Sequence, residues 1–301
     1  MKTKIIMMTA LLALLATGCG KDNRSGHIRI FAENMTAAGN GSKLQINPED
    51  PVNTVQWIAG EFVNINGTNF EIQGDNASGY SIDIADNDFG ATLYAVYPGK
   101  SDVDNYNDVT VTNSNTTATI TLNNLALNFH DDGEGHQVHS VVFPMGVKVS
   151  SSEDAMTFKN LTAAFRLTLS AGTPVTLKKL KVIVYGTGAA SAVALDGVNY
   201  TVKWAGQTPS VPTGDVGSLT DRDVSYASEM YFDMLTENNP GVEVDDDLKL
   251  CIPVTLATVK RITVIGYNGD DEVFSTTSTM NGGNVTLERN RIYPVAKITV
   301  N

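Results

Sequence analysis

Residues 261–269 read RITVIGYNG, and this short stretch decides the fold class. β-Branched and aromatic residues fill most of its first seven positions, which is typical of a β-strand. Asn268-Gly269 follows at once, and this dipeptide is a preferred centre for a tight hairpin turn. The stretch therefore predicts a strand that runs directly into a hairpin.

The same alternation of strand and turn continues along most of the chain after residue 26. Turn signals such as Asn66-Gly67 and Asp196-Gly197 separate the runs, and no segment keeps a 3.6-residue apolar period over three turns. We therefore predict an all-β protein made of two tandem β-sandwich domains of the transthyretin-like or Greek-key type. The other predicted strands read IRIFAEN, VQWIAGEFVNI, YSIDIA, ATLYAVYP, TATITL, VVFPMGVKV, FRLTLS, VTLKKLKVIVY, VNYTVKW, LKLCIPVTL, NVTLE and IYPVAKITV.

A polar, serine-rich patch, KVSSSEDAM at residues 148–156, is the best candidate for a domain boundary. It places an N-terminal sandwich at residues 27–150 and a C-terminal sandwich at residues 151–301. A second polar stretch at residues 205–223 has two prolines and few apolar residues. Because strand-like patterns resume after it, we predict a surface loop within the second domain.

The first 18 residues have the order of a secretory signal: basic residues, a short apolar run, then small residues. The apolar run is too short for a permanent membrane span, which needs about 20 residues. Ala16-Thr17-Gly18-Cys19 resembles the lipobox of bacterial lipoproteins, in which the cysteine is lipidated and becomes the new N-terminus. An ordinary secretory signal that contains a cysteine is the alternative.

That resemblance implies a signal peptide at residues 1–18, a lipid on Cys19 and a lipidated tether at residues 19–26. Lys21 and Asp22 are similar to the short charged signals that send some lipoproteins of Bacteroides-type bacteria to the outer leaflet. The expected location is thus the surface of the outer membrane.

Charge and cysteine content narrow the classes of protein further. Removing the signal takes away two of the 21 basic residues and none of the 33 acidic ones, so the net charge falls from −12 to about −14. Such a charge disfavours nucleic acid as a partner. With Cys19 lipidated, Cys251 is the remaining thiol and no disulfide can form within the chain. Cys251 lies in the apolar run LKLCIPVTL, which predicts a buried core thiol.

Several blocks in fixed order resemble the fimbrillin family of Bacteroides-type bacteria, the pilins and accessory subunits of type V pili. After the lipobox come IRIFAEN, VQWIAGEFVNING, ATLYAVYPG, FPMGVKV, MTFKNLTAAFRLTLS and ERNRIYPVAKITV. The resemblance covers nearly the whole mature chain. It implies two β-sandwich domains, export as a lipoprotein, and assembly with other pilus subunits by exchange of β-strands.

The resemblance also implies which segments are exchanged. In this family, shaft subunits lose their first strand when an Arg-specific protease cuts the loop after it, and a C-terminal strand of the next subunit fills the groove. The loop that follows here, MTAAGNGSKLQ, contains Lys43 and no arginine. We therefore predict an accessory subunit, anchor or tip, rather than a shaft subunit, with Lys43 as the possible cleavage position. The apolar positions of the expected exchange segments are Ile28, Ile30, Ala32, Ile292, Val295, Ile298 and Val300.

Three stretches of the sequence carry side chains that could bind a metal. FHDDGEGHQVHS contains His130, His136 and His139, yet its spacing matches no metal signature and its glycines and flanking strands suggest a hairpin loop. The acidic runs DIADNDFG and EVDDDLK lack the alternating ligands and distal glutamate of an EF-hand. We expect neither a metal nor a cofactor.

The sequence carries little sign of catalysis. There is no GxSxG motif, and Gly186-Thr187-Gly188 lacks the third glycine of a phosphate-binding loop. A non-enzymatic pilus or adhesion subunit is the expected function, and a surface glycan-binding lipoprotein of a polysaccharide uptake system is the alternative. Flat clusters of exposed aromatic rings would favour the alternative, whereas Trp57 and Trp204 both lie in apolar strand patterns that predict core packing.

Overall fold

The fold is all-β, as the sequence predicts. A computed structural model describes residues 26–33, 36–37, 57, 59–74, 79–85, 89–100, 108–123, 126–131, 137–186, 198–204, 219–223, 229–236, 239–245, 247–254, 258–280 and 283–300. Within these residues, strands build five sheets and no helix is long and apolar enough to cross a membrane. The strands are β1 (His27–Ala32), β2 (Thr36–Ala37), β3 (Phe62–Ile65), β4 (Thr68–Glu71), β5 (Tyr80–Asp83), β6 (Thr92–Tyr97), β7 (Asp108–Asn113), β8 (Thr117–Asn123), β9 (Ala126–Asp131), β10 (Gln137–Ser140), β11 (Met145–Ser150), β12 (Ala155–Asn160), β13 (Ala163–Ala171), β14 (Val175–Leu177), β15 (Lys179–Gly186), β16 (Val198–Lys203), β17 (Leu219–Asp223), β18 (Glu229–Thr236), β19 (Asn239–Pro240), β20 (Val242–Val244), β21 (Leu248–Val254), β22 (Thr258–Asn268), β23 (Asp271–Thr279), β24 (Val285–Thr286), β25 (Arg291–Pro294) and β26 (Ile298–Val300).

The strands form because apolar side chains recur at every second residue. In β18, Met230, Phe232 and Met234 are fully buried, while Tyr231 and Asp233 between them point outward. Successive side chains of a strand leave opposite faces, so this spacing covers one face of the sheet with apolar groups. Each fully buried side chain of this size contributes roughly 1.5 to 3 kcal/mol.

Two of the predicted hairpins are confirmed. Asn66 and Gly67 join β3 to β4 with φ angles of 49° and 91°, in the left-handed region that asparagine and glycine tolerate best. The Asn66 side chain accepts a hydrogen bond from the Tyr94 backbone N–H at 2.6 Å. The Asn66 side chain thus fixes both this turn and its attachment to the neighbouring strand β6. The second hairpin turns one residue later than predicted, because Asn268 still pairs with Asp271 and the connection from β22 to β23 is Gly269 and Asp270.

Sheet order brings distant parts of the chain together. The seven-stranded sheet runs β4-β3-β6-β11-β12-β1-β5, and an eight-stranded sheet has the main order β10-β9-β18-β15-β22-β23. A five-stranded sheet runs β2-β25-β13-β21, with β26 also paired to β13. Two smaller sheets, β17-β16-β8-β7 and β14-β20, complete the described part of the fold.

Strands from both sides of residue 150 share sheets. β12 follows that position but pairs with β11 and β1. β9 precedes it but pairs with β18, and β8 pairs with β16. The pairing of strands therefore crosses the predicted boundary between residues 150 and 151. The division into two domains stays a prediction.

The core holds the residues that the sequence assigned to it. Trp57 is 1% exposed, and its ring meets Tyr97 and Phe158 edge-on at centroid distances of 5.4 and 5.5 Å. Trp204 is 7% exposed and donates its indole N–H to the Ser114 carbonyl at 3.1 Å. Core packing of both tryptophans is thus confirmed.

Several local predictions were wrong. VQWIAGEFVNI is not one strand, because the chain turns at Ala59-Gly60 before β3, and IYPVAKITV is divided into β25 and β26. The run VTLKKLKVIVY is not one strand, because the strand is interrupted at Lys178, and β14 and β15 on either side of it lie in different sheets. The polar stretch predicted as a loop ends in a strand, β17, which pairs with β16 although its residues, LTDRD, are mostly polar. Pairing with a neighbour outweighed local composition in this last case.

Candidate functional site: the first and last strands

The first strand lies inside a sheet. β1 pairs with β12 in parallel and with β5 in antiparallel orientation, so both of its backbone edges are used. Ile28 and Ile30 are 1% and 0% exposed, and Ala32 packs half-buried against the same core. Taking β1 away would leave a slot one strand wide, lined by β12 and β5.

Arg29 lies within this paired backbone. It is opposite Ala155 on one side and Ser81 on the other, and its backbone N–H donates to the Asp154 carbonyl at 2.9 Å. Its guanidinium stacks 4.9 Å from the centre of the Phe31 ring. A protease would have to extract this segment from the sheet before cutting after Arg29.

The last two strands form one interrupted strand along β13. β25 and β26 both run parallel to β13, and the pairing shifts by one residue between Arg166↔Pro294 and Leu169↔Ile298. Val295 bridges the interruption by donating its backbone N–H to the Arg166 carbonyl at 2.9 Å. Apolar contacts hold the segment, since Ile292, Ile298 and Val300 are buried and Val295 is half-buried.

The two C-terminal strands differ at their outer edges. β2 covers β25 through the parallel pairs Thr36↔Arg291 and Ala37↔Ile292. β26 pairs with β13 alone among the residues that the structure describes. An exposed ion pair between Lys297 and Asp247, 2.6 Å long, ties the start of β26 to the turn before β21. Its hydrogen bond from Lys297 lowers the pKa of the Asp247 carboxyl.

Glu33 connects the first strand to the last, and sequence reasoning missed it. It follows β1 directly, and its carboxylate binds Arg289 Nη1 at 2.7 Å and Lys159 Nζ at 3.4 Å. Asn160, fully buried at the end of β12, donates from Nδ2 to the Glu33 carbonyl and to Asn290 Oδ1, both at 2.8 Å. In the sequence, the members of this cluster appear only as charged and amide residues within the blocks FAEN, MTFKN and ERNR, and nothing there indicates that they meet.

The remaining predicted site residues are placed only in part. Cys19, Lys43 and His136 lie outside the described residues. The backbones of His130 and His139 belong to the antiparallel hairpin of β9 and β10, as the flanking strands suggested.

No group of three or more histidine, cysteine, aspartate or glutamate side chains comes together in the described part of the chain. Of the acidic runs, the described Asp83 accepts a hydrogen bond from the Ala85 N–H at 2.9 Å and Asp247 is paired with Lys297. Both carboxylates thus have partners within the protein.

Cys251 is a buried core thiol, as predicted. It is 4% exposed and packs in a small cluster with Phe143, Ala164 and Ile292. Burial disfavours the thiolate and raises the pKa of Cys251 to about 12. Such a thiol is a poor nucleophile at neutral pH.

The geometry offers no tryptophan platform for sugars, since both tryptophans are in the core. Among the described residues, Tyr231 is the one large hydrophobic side chain that is exposed, with 38% of its surface open to solvent. Lys181 lies 5.1 Å from the centre of its ring and forms an ion pair with Glu229 at 2.9 Å. The hydrogen bonds that the Lys181 ammonium donates to Tyr231 and Glu229 raise the pKa of Lys181, so the ring has a permanent cation beside it.

No family model and no curated protein matches the chain. Solved structures similar to it include a "putative cell adhesion protein" of Bacteroides ovatus, with 13% identity over 89% of this chain and 90% of that one, at a TM-score of 0.42. Proteins of the same description from Bacteroides uniformis and Bacteroides fragilis are each 12% identical; the alignments cover 92% and 89% of this chain and 94% and 91% of theirs, at TM-scores of 0.37 and 0.36. Likeness at this level leaves the chain without an assigned family.

Proposed function

We propose that the chain is a non-enzymatic cell-surface subunit of a fimbrial or adhesion structure, anchored by a lipid on Cys19, that contacts neighbouring subunits by β-strand addition. The fimbrillin-like order of blocks in the sequence is the first support. The described Bacteroides structures of cell adhesion type are compatible with the same role and add no weight of their own.

One observation carries the proposal: the C-terminal strand β26 lies at a sheet edge and is held by β13 alone in the described part of the protein. Such an edge strand leaves its sheet at a lower cost than a strand paired on both sides, because fewer backbone hydrogen bonds are lost. β26, a short edge strand near the C-terminus, is therefore suited to be donated to another subunit.

The side chains of β26 match the slot that a strand like β1 occupies. Ile298, Thr299 and Val300 are buried, exposed and buried in turn. Ile28, Arg29 and Ile30 follow the same order in the seven-stranded sheet. A donated β26 would thus present its apolar side chains to a core and its polar side chain to solvent, as β1 does.

We further propose an accessory role, as anchor or tip, in which the chain keeps its own β1. The segment after β1, residues 35–45, contains Lys43 but no arginine for an Arg-specific protease, and Arg29 lies within a paired strand. A retained β1 leaves no open slot, so the subunit donates its C-terminal strand without accepting one. This polarity suits the end of a fibre.

Immunogold microscopy of the producing cells tests the function. We expect label on fibres, and we expect the double variant Ile298→Asp, Val300→Asp to lose that label while remaining on the cell surface. Thr299→Asp is the matched control, because its side chain is exposed within the same strand and fibre labelling should persist.

A diffuse coat of label on the wild-type cell, with no fibres, would reject the pilus role and favour the glycan-binding alternative. The accessory role has a separate test, in which the purified protein is treated with a protease that cuts after lysine, because residues 35–45 contain Lys43 and no arginine. A detergent-resistant ladder of subunits whose new terminus follows Lys43 would make the chain a shaft subunit.

A further inference from the structure

The polar cluster around Glu33 lies where three distant parts of the chain meet. It joins the end of β1, the end of β12 and the turn before β25. Glu33 and Arg289 are 256 positions apart in sequence. We propose that Glu33, Lys159, Asn160, Arg289 and Asn290 form a latch that makes β1 and β25 open together, and we call this set the Glu33 latch.

Both oxygens of the Glu33 carboxylate are engaged by separate cations. Oε1 contacts Lys159 and Oε2 contacts Arg289, and the Arg289 Nη1 that binds Oε2 also donates to the Asn160 carbonyl at 2.9 Å. The side chains of Glu33 and Lys159 are only 19% and 17% exposed. Charge-assisted hydrogen bonds that are shared and partly shielded from water are stronger than isolated surface ion pairs.

Backbone contacts lock the same three segments. The Glu33 N–H donates to the Phe158 carbonyl at 2.8 Å, and the Asn290 N–H donates to the Thr162 carbonyl at 3.0 Å. The Asn160 side chain is fully buried, and its Nδ2 donates hydrogen bonds to both Glu33 and Asn290. Displacing one segment therefore leaves donors or acceptors of the others without partners in a buried place, which is costly.

The chain beyond Glu33 extends the connection, because β2 forms the outer edge of β25. If β1 leaves its sheet, the ion pair between Glu33 and Arg289 breaks, and β2, which follows β1 in the chain, is pulled away from the edge of β25. If β25 leaves its sheet, the same ion pair breaks and β2 loses the strand with which it pairs. Each event lowers the cost of the other, which is a coupling free energy, and such coupling is reciprocal.

The latch thus gives β25 and β26 different properties although both lie on β13. β25 is held by the latch and β2, whereas β26 lies beyond both. In the proposed strand exchange, and to that extent resting on the proposed function, β26 could leave for a neighbour while the latch keeps β1 and β25 closed. The coupling itself is a property of the monomer.

Hydrogen–deuterium exchange on the full chain in detergent measures the coupling without any assembly. Glu33→Gln should raise exchange in the peptides over residues 27–37 and 288–295 by the same factor, on the order of tenfold. Arg289→Gln should give the same pattern. The double variant Glu33→Gln, Arg289→Gln should exchange no faster in these peptides than either single variant. The hairpin at residues 261–279 serves as the internal reference and should not change.

Glu288→Gln is the matched control. It removes one negative charge next to Arg289, but Glu288 is 69% exposed and pairs with Arg291 at 3.7 Å, so both peptides should keep their wild-type exchange. If Glu33→Gln does not fold, Glu33→Asp retains the charge, shortens its reach and gives the same comparison.

Faster exchange in only one of the two peptides would overturn the latch, as would no change, an equal effect of Glu288→Gln, or an equal rise in the reference hairpin. Since no step requires a partner subunit, loss of fibre labelling in cells would contradict the proposed function and leave this result standing.

Discussion

The first and last strands carry the same alternation of buried and exposed side chains, but the sheets hold them differently. β1 is paired along both edges, with β12 and β5. β26 is paired along one edge within the described residues, and it has three residues against six in β1. Apolar burial alone would predict that the two strands are held equally well. Backbone pairing instead predicts that β1 stays in its sheet and that β26 can leave. A strand's freedom to exchange therefore depends on its edges as well as on its side chains.

The largest effect is expected in the middle of β1. Ile30→Ala should lower the free energy of unfolding by about 2 to 5 kcal/mol, because it leaves a cavity at a position with no exposed surface in a strand fixed on both sides. Urea unfolding measures the change. Arg29→Ala, at the exposed neighbouring position, is the control and should cost less. A cost near zero at Ile30 would show that β1 is not part of the cooperative core.

A smaller effect is expected in the last strand. Ile298→Ala removes a side chain that is just as buried, at 1% exposed, but the edge position allows the segment to relax into the space. We expect a loss of about 2 kcal/mol or less in the same unfolding experiment. Thr299→Ala is the control. If Ile298→Ala costs as much as Ile30→Ala, the two strands are equally fixed and the difference in edges has no energetic consequence.

The smallest effect concerns Cys251, whose burial depends on β25 staying in its sheet. Its thiol packs with Ile292 of β25, and burial raises its pKa from 9.0 to about 12. Between these values the unfolded thiol ionises while the native thiol stays protonated, so stability falls as pH rises above 9. At pH 10 the wild type should have lost more stability than Cys251→Ala, relative to pH 8, by on the order of 1 kcal/mol. Equal losses in the two proteins would mean that the thiol is open to solvent.

Local patterns predicted much of this fold. Apolar alternation identified most strands, and Asn66-Gly67 and Asn268-Gly269 identified two hairpins, because each signal depends on neighbouring residues alone. The strand break at Lys178 was missed for the same reason. Nothing within VTLKKLKVIVY marks a break, and it appears only because β14 and β15 pair with different strands.

The candidate site was predictable in its apolar half only. Ile28, Ile30, Ile298 and Val300 follow the period of a buried strand, and they are buried. Glu33 and Arg289 carry no such period, and their contact depends on a pairing between segments at opposite ends of the chain. Polar contacts of this kind become visible only when the sheet order is known.

Native-state hydrogen–deuterium exchange of the unmodified chain compares the amides of β26 with those of β1 and so measures the difference between the two strands. We predict that residues 298–300 exchange through a local opening of low free energy, while residues 28–32 exchange at a free energy close to that of global unfolding. Equal protection of the two strands, or faster exchange in β1, would contradict this prediction.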